Sequence, residues 1–471
     1  MHANSKRIRM LLTALLLTVR LLVIHFPVAA AQEHPAADGL RILVSTGEEE
    51  GNIPLSNIIL DIYPAGNEKE GKASDAAVQM YKRSSHLLAT LITDETGSAV
   101  LDTTGMEQTL LITVQENPAV SGGDLAMFVS GKQRTVKLEL LPERAPDLQM
   151  DIDTIGQKSA TGDMGQAHTW IIGCDIPSGI CNAREFTVTD ILTPCLDYEA
   201  GSVTVTLSCG GEREIPLDNN HYALTEEVHN SNGVPLKMLR ISLTAEGMSH
   251  IAANLGEGKE QGQLYIRFRT TVNRGAAIGA AIPNDAHLIY RNAAGVTYCA
   301  DSDIPEVHTG GLAVLKVDPE GTPLMGCDFM LAREAGQAEL EDETILKEVL
   351  HVGNKNLAVV YVDFYTDAEN GGKQYRATTG ADGTASMYGL ACGTYYLVES
   401  APPEGYDGSV QPIEVEITQH SHLPENAVRV VNGRLHFPQT GGMGTVAFTA
   451  SGCLLICAAC LLLLSNRNRR Y

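Results

Sequence analysis

The chain of 471 residues is short of several things, and each shortage excludes something. Aromatic residues make up 5% of it and there is one tryptophan, so a core built on stacked rings is not available. Basic residues are scarce: 34 Lys and Arg stand against 57 Asp and Glu, a net charge of −23. A surface this acidic repels phosphate backbones, which removes nucleic acid as a partner. Long apolar runs are missing from the body and occur only at the two ends, which excludes a multi-span membrane protein. No glycine-rich phosphate loop, zinc-protease motif or nucleophile elbow is present, so no cofactor is expected and turnover of a substrate is not. What the chain does have is 44% hydrophobic residues, too many for a disordered acidic tail. Its length corresponds to roughly three domains at ~100–200 residues each.

Both ends read as processing signals. At the N-terminus Lys6, Arg7 and Arg9 precede an apolar stretch, and Ala29-Ala30-Ala31 offers a small-residue cleavage site, so residues 1–31 are expected to be a signal peptide. At the C-terminus Phe437-Pro438-Gln439-Thr440-Gly441 is followed by an apolar run over 446–465 and then by Arg467, Arg469 and Arg470. A run of that length spans one hydrocarbon core, and the arginines hold the tail in the cytoplasm. Motif, span and basic tail over 437–471 together resemble the sorting signal of Gram-positive wall-anchored proteins. That resemblance implies sortase as a partner, cleavage between Thr440 and Gly441, and transfer of the threonine carboxyl to an amine of peptidoglycan or of a neighbouring subunit. Trimming both ends removes seven basic residues and no acidic one, taking the charge from −23 to −30.

Between the ends the pattern is β throughout. Val203-Thr-Val-Thr-Leu207, Leu264-Tyr-Ile-Arg-Phe268, Leu312-Ala-Val-Leu-Lys-Val317 and Tyr395-Tyr-Leu-Val398 alternate or run apolar, and Asn232-Gly233 and Asp382-Gly383 mark turns. Only Met248 to Ala253 suggests a helix. Short strands at regular spacing predict tandem immunoglobulin-like β-sandwiches, an all-β class. A weak repeat joins Thr93-Asp94-Glu95-Thr96-Gly97 to Thr379-Gly380-Ala381-Asp382-Gly383, each followed by an apolar strand and then an acid and a proline. Two related domains are therefore expected at 38–145 and 310–434, with a different one at 146–309.

In the last domain Lys316 lies in the opening strand, Glu399 follows Tyr395-Tyr-Leu-Val, and Asn432 closes the final strand after Val430-Val431. This trio, with its flanking Gly393-Thr and Pro402-Pro-Glu-Gly405, resembles the Cna B-type (prealbumin-like) domains of Gram-positive pilins. The resemblance implies an autocatalytic isopeptide bond, with Lys316 as nucleophile, Asn432 as electrophile and Glu399 as proton shuttle. The chemistry needs these residue types. A solvated lysine is charged and cannot attack, whereas burial favours a neutral amine beside a protonated acid. Strand alternation alone leaves open whether Lys316 points inward.

The middle segment contains Phe186-Thr-Val-Thr-Asp190 and Ile282-Pro283-Asn284-Asp-Ala286. These resemble the fimbrial isopeptide-formation domain, which implies Asp190 as the acid and Asn284 as the acceptor amide. The opening strand has Met150 where that family has lysine, and Lys158 is the nearest substitute. Polymerising pilins also carry an acceptor lysine after a proline near the end of their first domain. Here Pro142 is followed by Glu143, and Pro64 by Ala65; Lys132 and Lys137 are nearby but outside such a motif. The whole plan resembles a sortase-anchored, SpaA-like fimbrial subunit on a Gram-positive surface. Two functions stay open: a polymerised pilin, or a single wall-bound adhesin that binds a host protein or glycan.

Seven cysteines lie in the exported part, an odd number. Export permits disulfides, and Cys174 with Cys181, Cys195 with Cys209 and Cys327 with Cys392 are possible pairs. Their spacing does not fit zinc, and His420 and His422 sit in a polar loop, so no metal is expected.

Overall fold

A computed structural model describes residues 39–48, 51–210, 214–231, 233–255, 262–334, 347–352, 355–360, 364–365, 373–374, 377–408, 412–435 and 451–459. The expected signal peptide and Phe437, Pro438, Gln439, Thr440 and Gly441 lie outside these. Of the expected span 446–465, residues 451–459 are described and are helical. Among the described residues no helix is long and apolar enough to cross a membrane, so a transmembrane segment finds no support.

The architecture is all-β, in tandem sandwiches. The packing separates into two compact units, one holding residues up to 158 with 167–271 and 283–306, the other holding 159–166, 272–282 and 307 onward.

In the first unit the strand Gly39–Thr46 lies between Ser98–Asp102 and Thr135–Pro142, antiparallel to the former and parallel to the latter. Strict alternation along Gly39–Thr46 sends Leu40, Ile42 and Val44 inward. They meet Leu60, Ile62, Leu110, Ile112 and Val129 from a five-stranded sheet in which Ile59–Gly66 pairs with Thr109–Val114. The same unit continues as two further sheets. One pairs Leu148–Ile152 with Ala167–Asp175 and then Gln263–Val272; the other centres on Glu185–Ile191 between Val234–Leu243 and Ala286–Arg291. The long hairpin pairs Tyr222–Ser231 with Val234–Leu243, and Gly233 of the expected turn takes φ +84°, while Asn232 lies outside the described residues. The expected short helix runs over Ala245–Leu255.

The second unit repeats the first sandwich. Gly310–Val317 lies between Thr384–Leu390, antiparallel, and Val428–Val431, parallel. The facing sheet pairs Asp328–Glu334 with Gly393–Ala401. The repeat read from the turns holds atom by atom. In one, Thr93 Oγ1 donates to the Leu55 carbonyl at 2.7 Å and accepts from the Ile58 amide at 3.0 Å. In the other, Thr379 Oγ1 donates to the Leu324 carbonyl at 2.7 Å and accepts from the Cys327 amide at 3.0 Å. The Val44 amide donates to the Gly97 carbonyl and the Lys316 amide to the Gly383 carbonyl, both at 2.8 Å. Both glycines need positive φ: +69° at Gly97 and +71° at Gly383. Both also pass so close to the first strand that a Cβ would lie 2.3 Å from the Val44 carbonyl oxygen or 2.5 Å from that of Lys316.

Candidate functional site

The repeat places Lys316 in the middle of a sandwich. Its strand is buried along nearly its whole length, so Lys316 has no solvent-facing choice and its side chain is 0% exposed. Lys316 stands opposite Val430 in the parallel last strand, and the Asn432 amide donates to the Val317 carbonyl at 3.1 Å. That register carries the Asn432 side chain to the lysine. Across the core, Glu399 stands opposite Phe329, and the Phe329 ring centroid lies 5.5 Å from Lys316 Nζ. The three side chains form a closed, buried triangle. Nζ of Lys316 donates to Glu399 Oε2 at 2.9 Å and to Asn432 Oδ1 at 2.5 Å; Asn432 Nδ2 donates to Glu399 Oε1 at 2.5 Å.

The two oxygens of one carboxyl therefore face two different nitrogens. Oε2 meets the amine that must lose protons to attack an amide. Oε1 meets the amide nitrogen that must gain one to leave. A lysine, an acid and an amide buried together make a site adapted to proton transfer within the triangle.

The first domain shows what the same scaffold looks like without this site. By the shared turn contacts and strand registers, Val44 occupies the place of Lys316, Leu140 that of Asn432 and Val114 that of Glu399. Val44 and Leu140 are fully buried apolar residues. The acid seen in the sequence repeat, Glu116, is two positions beyond the one that faces the core.

The middle segment brings Asp190 and Asn284 together, both buried, with Asn284 Nδ2 donating to Asp190 Oδ2 at 2.9 Å. Burial pushes the Asp190 carboxyl well above its ordinary range and Asp285 adds to this; the Asn284 hydrogen bond offsets only part. Asp190 Oδ1 and Asn284 Oδ1 have no hydrogen-bond partner among the described residues. Met150 is fully buried, with Ser302 Oγ 4.0 Å from its sulfur. Lys158 is placed differently: it is half-exposed, donates to the Met150 carbonyl at 2.7 Å, and pairs with Asp151 at 2.6 Å and with Asp303. Burial works to lower its pKa, but hydrogen bonds and charge from Asp151 and Asp303 outweigh it, and the ammonium is held above its ordinary value.

At the position after Pro142, Glu143 is buried. Its carboxylate accepts from the Tyr290 hydroxyl at 2.7 Å and the Gly179 amide at 3.1 Å, and its carbonyl accepts from the Tyr298 hydroxyl at 2.9 Å. Ala65 is buried too. Cys174, Cys181, Cys195, Cys209, Cys327 and Cys392 are not disulfide-bonded. Among the described residues no three His, Cys, Asp or Glu are grouped to hold a metal ion.

Sequence reasoning named the three residues but read Cys327 only as a possible disulfide partner of Cys392. Cys327 is fully buried in the same core, and burial, with the charge of Glu399, pushes its thiol up to about 12.

Comparison with known proteins gives the following. Residues 310–429 match the family model described as SpaA, a prealbumin-like fold domain. No match was found among curated proteins. Similar solved structures include the 35 kDa C-terminal fragment of the major pilin GBS80 of Streptococcus agalactiae, at 23% identity, covering 61% of this chain and 100% of that one, with TM-score 0.47. The full-length RrgB pilus protein from Streptococcus pneumoniae is similar at 15% identity, 86% and 98% coverage and TM-score 0.47. The full-length major pilin SpaD from Corynebacterium diphtheriae is similar at 17% identity, 85% and 98% coverage and TM-score 0.43. The segment 310–429, whose sandwich carries the Lys316 triangle, is thus similar to the prealbumin-like fold domain described by the SpaA family model.

Proposed function

We propose that the chain is an exported pilin-like subunit of a Gram-positive cell surface, joined by sortase through Thr440 and stiffened by an isopeptide bond between Lys316 and Asn432. The observation that carries the reading is the bidentate placement of Glu399 between the two nitrogens. Glu399 takes a proton from Lys316 Nζ through Oε2. The amine attacks Asn432 Cγ, forming a C–N bond. Glu399 returns that proton through Oε1 to Nδ2 and takes a second one from the attached Nζ through Oε2; the Cγ–Nδ2 bond breaks, one ammonia leaves, and a neutral amide remains beside a protonated Glu399. No external oxidant, cofactor or second substrate enters. Holding all three groups in one core makes the step intramolecular, an advantage of up to ~7–11 kcal/mol in well-oriented systems. The bond joins the first strand of the domain to the last, so tension applied at residue 310 and beyond 432 is borne by a covalent link.

A non-polymerising wall-bound adhesin is the second reading, and one observation favours it. Glu143, at the place of a pilin acceptor lysine, is buried and hydrogen-bonded; it presents no amine to sortase. If the chain polymerises, an exposed lysine such as Lys132 or Lys137 is the acceptor. Immunoblots of wall extracts separate the two. A detergent-resistant ladder of high-mass bands supports the pilin; a single band released by wall hydrolase supports the adhesin. A band left in the cell fraction and unchanged by Thr440→Ala overturns sortase anchoring in both.

A further inference from the structure

We propose that Cys327 is a positioning residue for the Lys316–Asn432 cross-link, its thiol holding the Glu399 carboxyl between the two reacting nitrogens; this rests on the cross-linking reading above. Four observations on different parts of the domain agree.

Cys327 is fully buried in the cluster that contains Phe329, Leu397 and Val430, and burial together with the nearby Glu399 carboxyl raises its thiol pKa. A thiol is a weak donor, yet in a dry core it is one of few groups able to fix a carboxyl rotamer. The raised thiol pKa keeps the proton on sulfur, so the group stays a donor.

Cys327 lies two residues before Phe329, just ahead of the strand, and both are fully buried in the same core cluster. Phe329 stands opposite Glu399 and lies under Lys316. Phe329 thus borders the triangle beside the amine, and Cys327 enters the same buried cluster two residues before it.

The Cys327 backbone has no freedom. Its amide donates to Thr379 Oγ1 at 3.0 Å, its carbonyl accepts from the Thr379 amide at 2.9 Å, and Thr379 is itself buried. A side chain carried on a fixed backbone can set the position of another group; one on a loop cannot.

The first domain supplies the control within the same molecule. Ile58 there makes the two backbone contacts to Thr93 that Cys327 makes to Thr379. Where Lys316, Glu399 and Asn432 are replaced by Val44, Val114 and Leu140, the thiol is replaced by a fully buried isoleucine. The scaffold accepts a branched aliphatic at this position when there is no carboxyl to hold, so packing alone does not call for sulfur.

The test compares two substitutions in the full chain made by cell-free translation and quenched in acid at intervals, with intact mass reporting loss of ammonia. Cys327→Ser keeps a donor and gives up volume; Cys327→Val keeps branched volume and gives up the donor. C327S is expected to cross-link within about threefold of the wild-type rate. C327V is expected to be about tenfold slower, the worth of one neutral hydrogen bond. Its rate–pH profile should move to higher pH, because a donor to the carboxylate form has gone. If C327V matches wild type with an unmoved profile, or C327S is as slow as C327V, the positioning role is overturned and the cross-link stands. If wild type itself loses no ammonia, the cross-link is overturned and this inference with it.

Discussion

Lys316 Nζ lies 2.9 Å from Glu399 Oε2 with the two side chains 0% and 1% exposed, so the domain keeps an amine and an acid together out of reach of bulk solvent. A buried pair of this kind is a weak source of stability by itself, because desolvation opposes the Coulomb attraction. It makes chemical sense as the reactants of a bond, and the energetic gain then comes from the bond.

The first prediction concerns that gain. Lys316 and Asn432 are 116 residues apart in sequence. By the chain-entropy treatment of cross-links, closing a loop of ~100 residues stabilises by about 4.7 kcal/mol. Asn432→Ala should therefore lower the thermal midpoint of the second unit by roughly 10–20 °C. Calorimetry checks this; a shift of only a few degrees means that no covalent closure was lost.

Glu399→Ala acts more severely. It removes the shuttle and also leaves Lys316 buried without its acid, a defect of about 3–5 kcal/mol in comparable sites. The variant should retain the mass of the unreacted chain and unfold at lower denaturant than Asn432→Ala. Urea titration of the two variants side by side tests the order.

Gly383→Ala should disturb the site from behind. The new Cβ would meet the Lys316 carbonyl oxygen at 2.5 Å in a backbone conformation, φ +71°, that favours glycine. A cost of about 1–3 kcal/mol is expected, with slower cross-linking because the lysine strand must shift. Gly97→Ala in the first domain carries the same strain with no cross-link to slow, so it should lower stability alone. Measured midpoints and cross-linking rates of the two variants separate strain from chemistry.

Asp190 gives a pH-dependent prediction. Its carboxyl is raised by burial and by Asp285 in the fold, above the ordinary value of 3.8. The folded state therefore holds a proton that the unfolded state releases above about pH 4. Its favourable contribution is complete below that pH and is lost as pH rises toward the folded value. Asp190→Asn removes this titration. The variant should gain on wild type steadily from pH 4 to pH 8 in urea unfolding; a constant difference across that range contradicts the assignment.

How much of this was legible in the sequence depended on the kind of relationship. Lys316, Glu399 and Asn432 could be named through the resemblance of their segments to Cna B-type domains. That they meet could not, since alternation in Leu312-Ala-Val-Leu-Lys316 is uninformative for a strand buried on nearly all sides. Cys327 was legible only as a possible disulfide partner of Cys392, not as a neighbour of Glu399. It precedes its strand, and its relation to Glu399 depends on the register between two strands and a bulge next to Asp328. The helix Asp75–Ser84 was also hidden. Its Ser74 cap, Asp75 and the terminal Lys82 and Arg83 were there to be read, but none of its residues is buried, so it shows no apolar stripe. Glu143 read only as a missing lysine; its burial depends on Tyr290, 147 residues further on.

The most direct test of the central claim is high-resolution intact mass of the purified chain, followed by peptide mapping of residues 310–434. The account predicts a mass short by one ammonia and a branched peptide joining Lys316 to Asn432, both absent in Glu399→Ala. An unaltered wild-type mass, with Lys316 and Asn432 recovered in separate linear peptides, would contradict it.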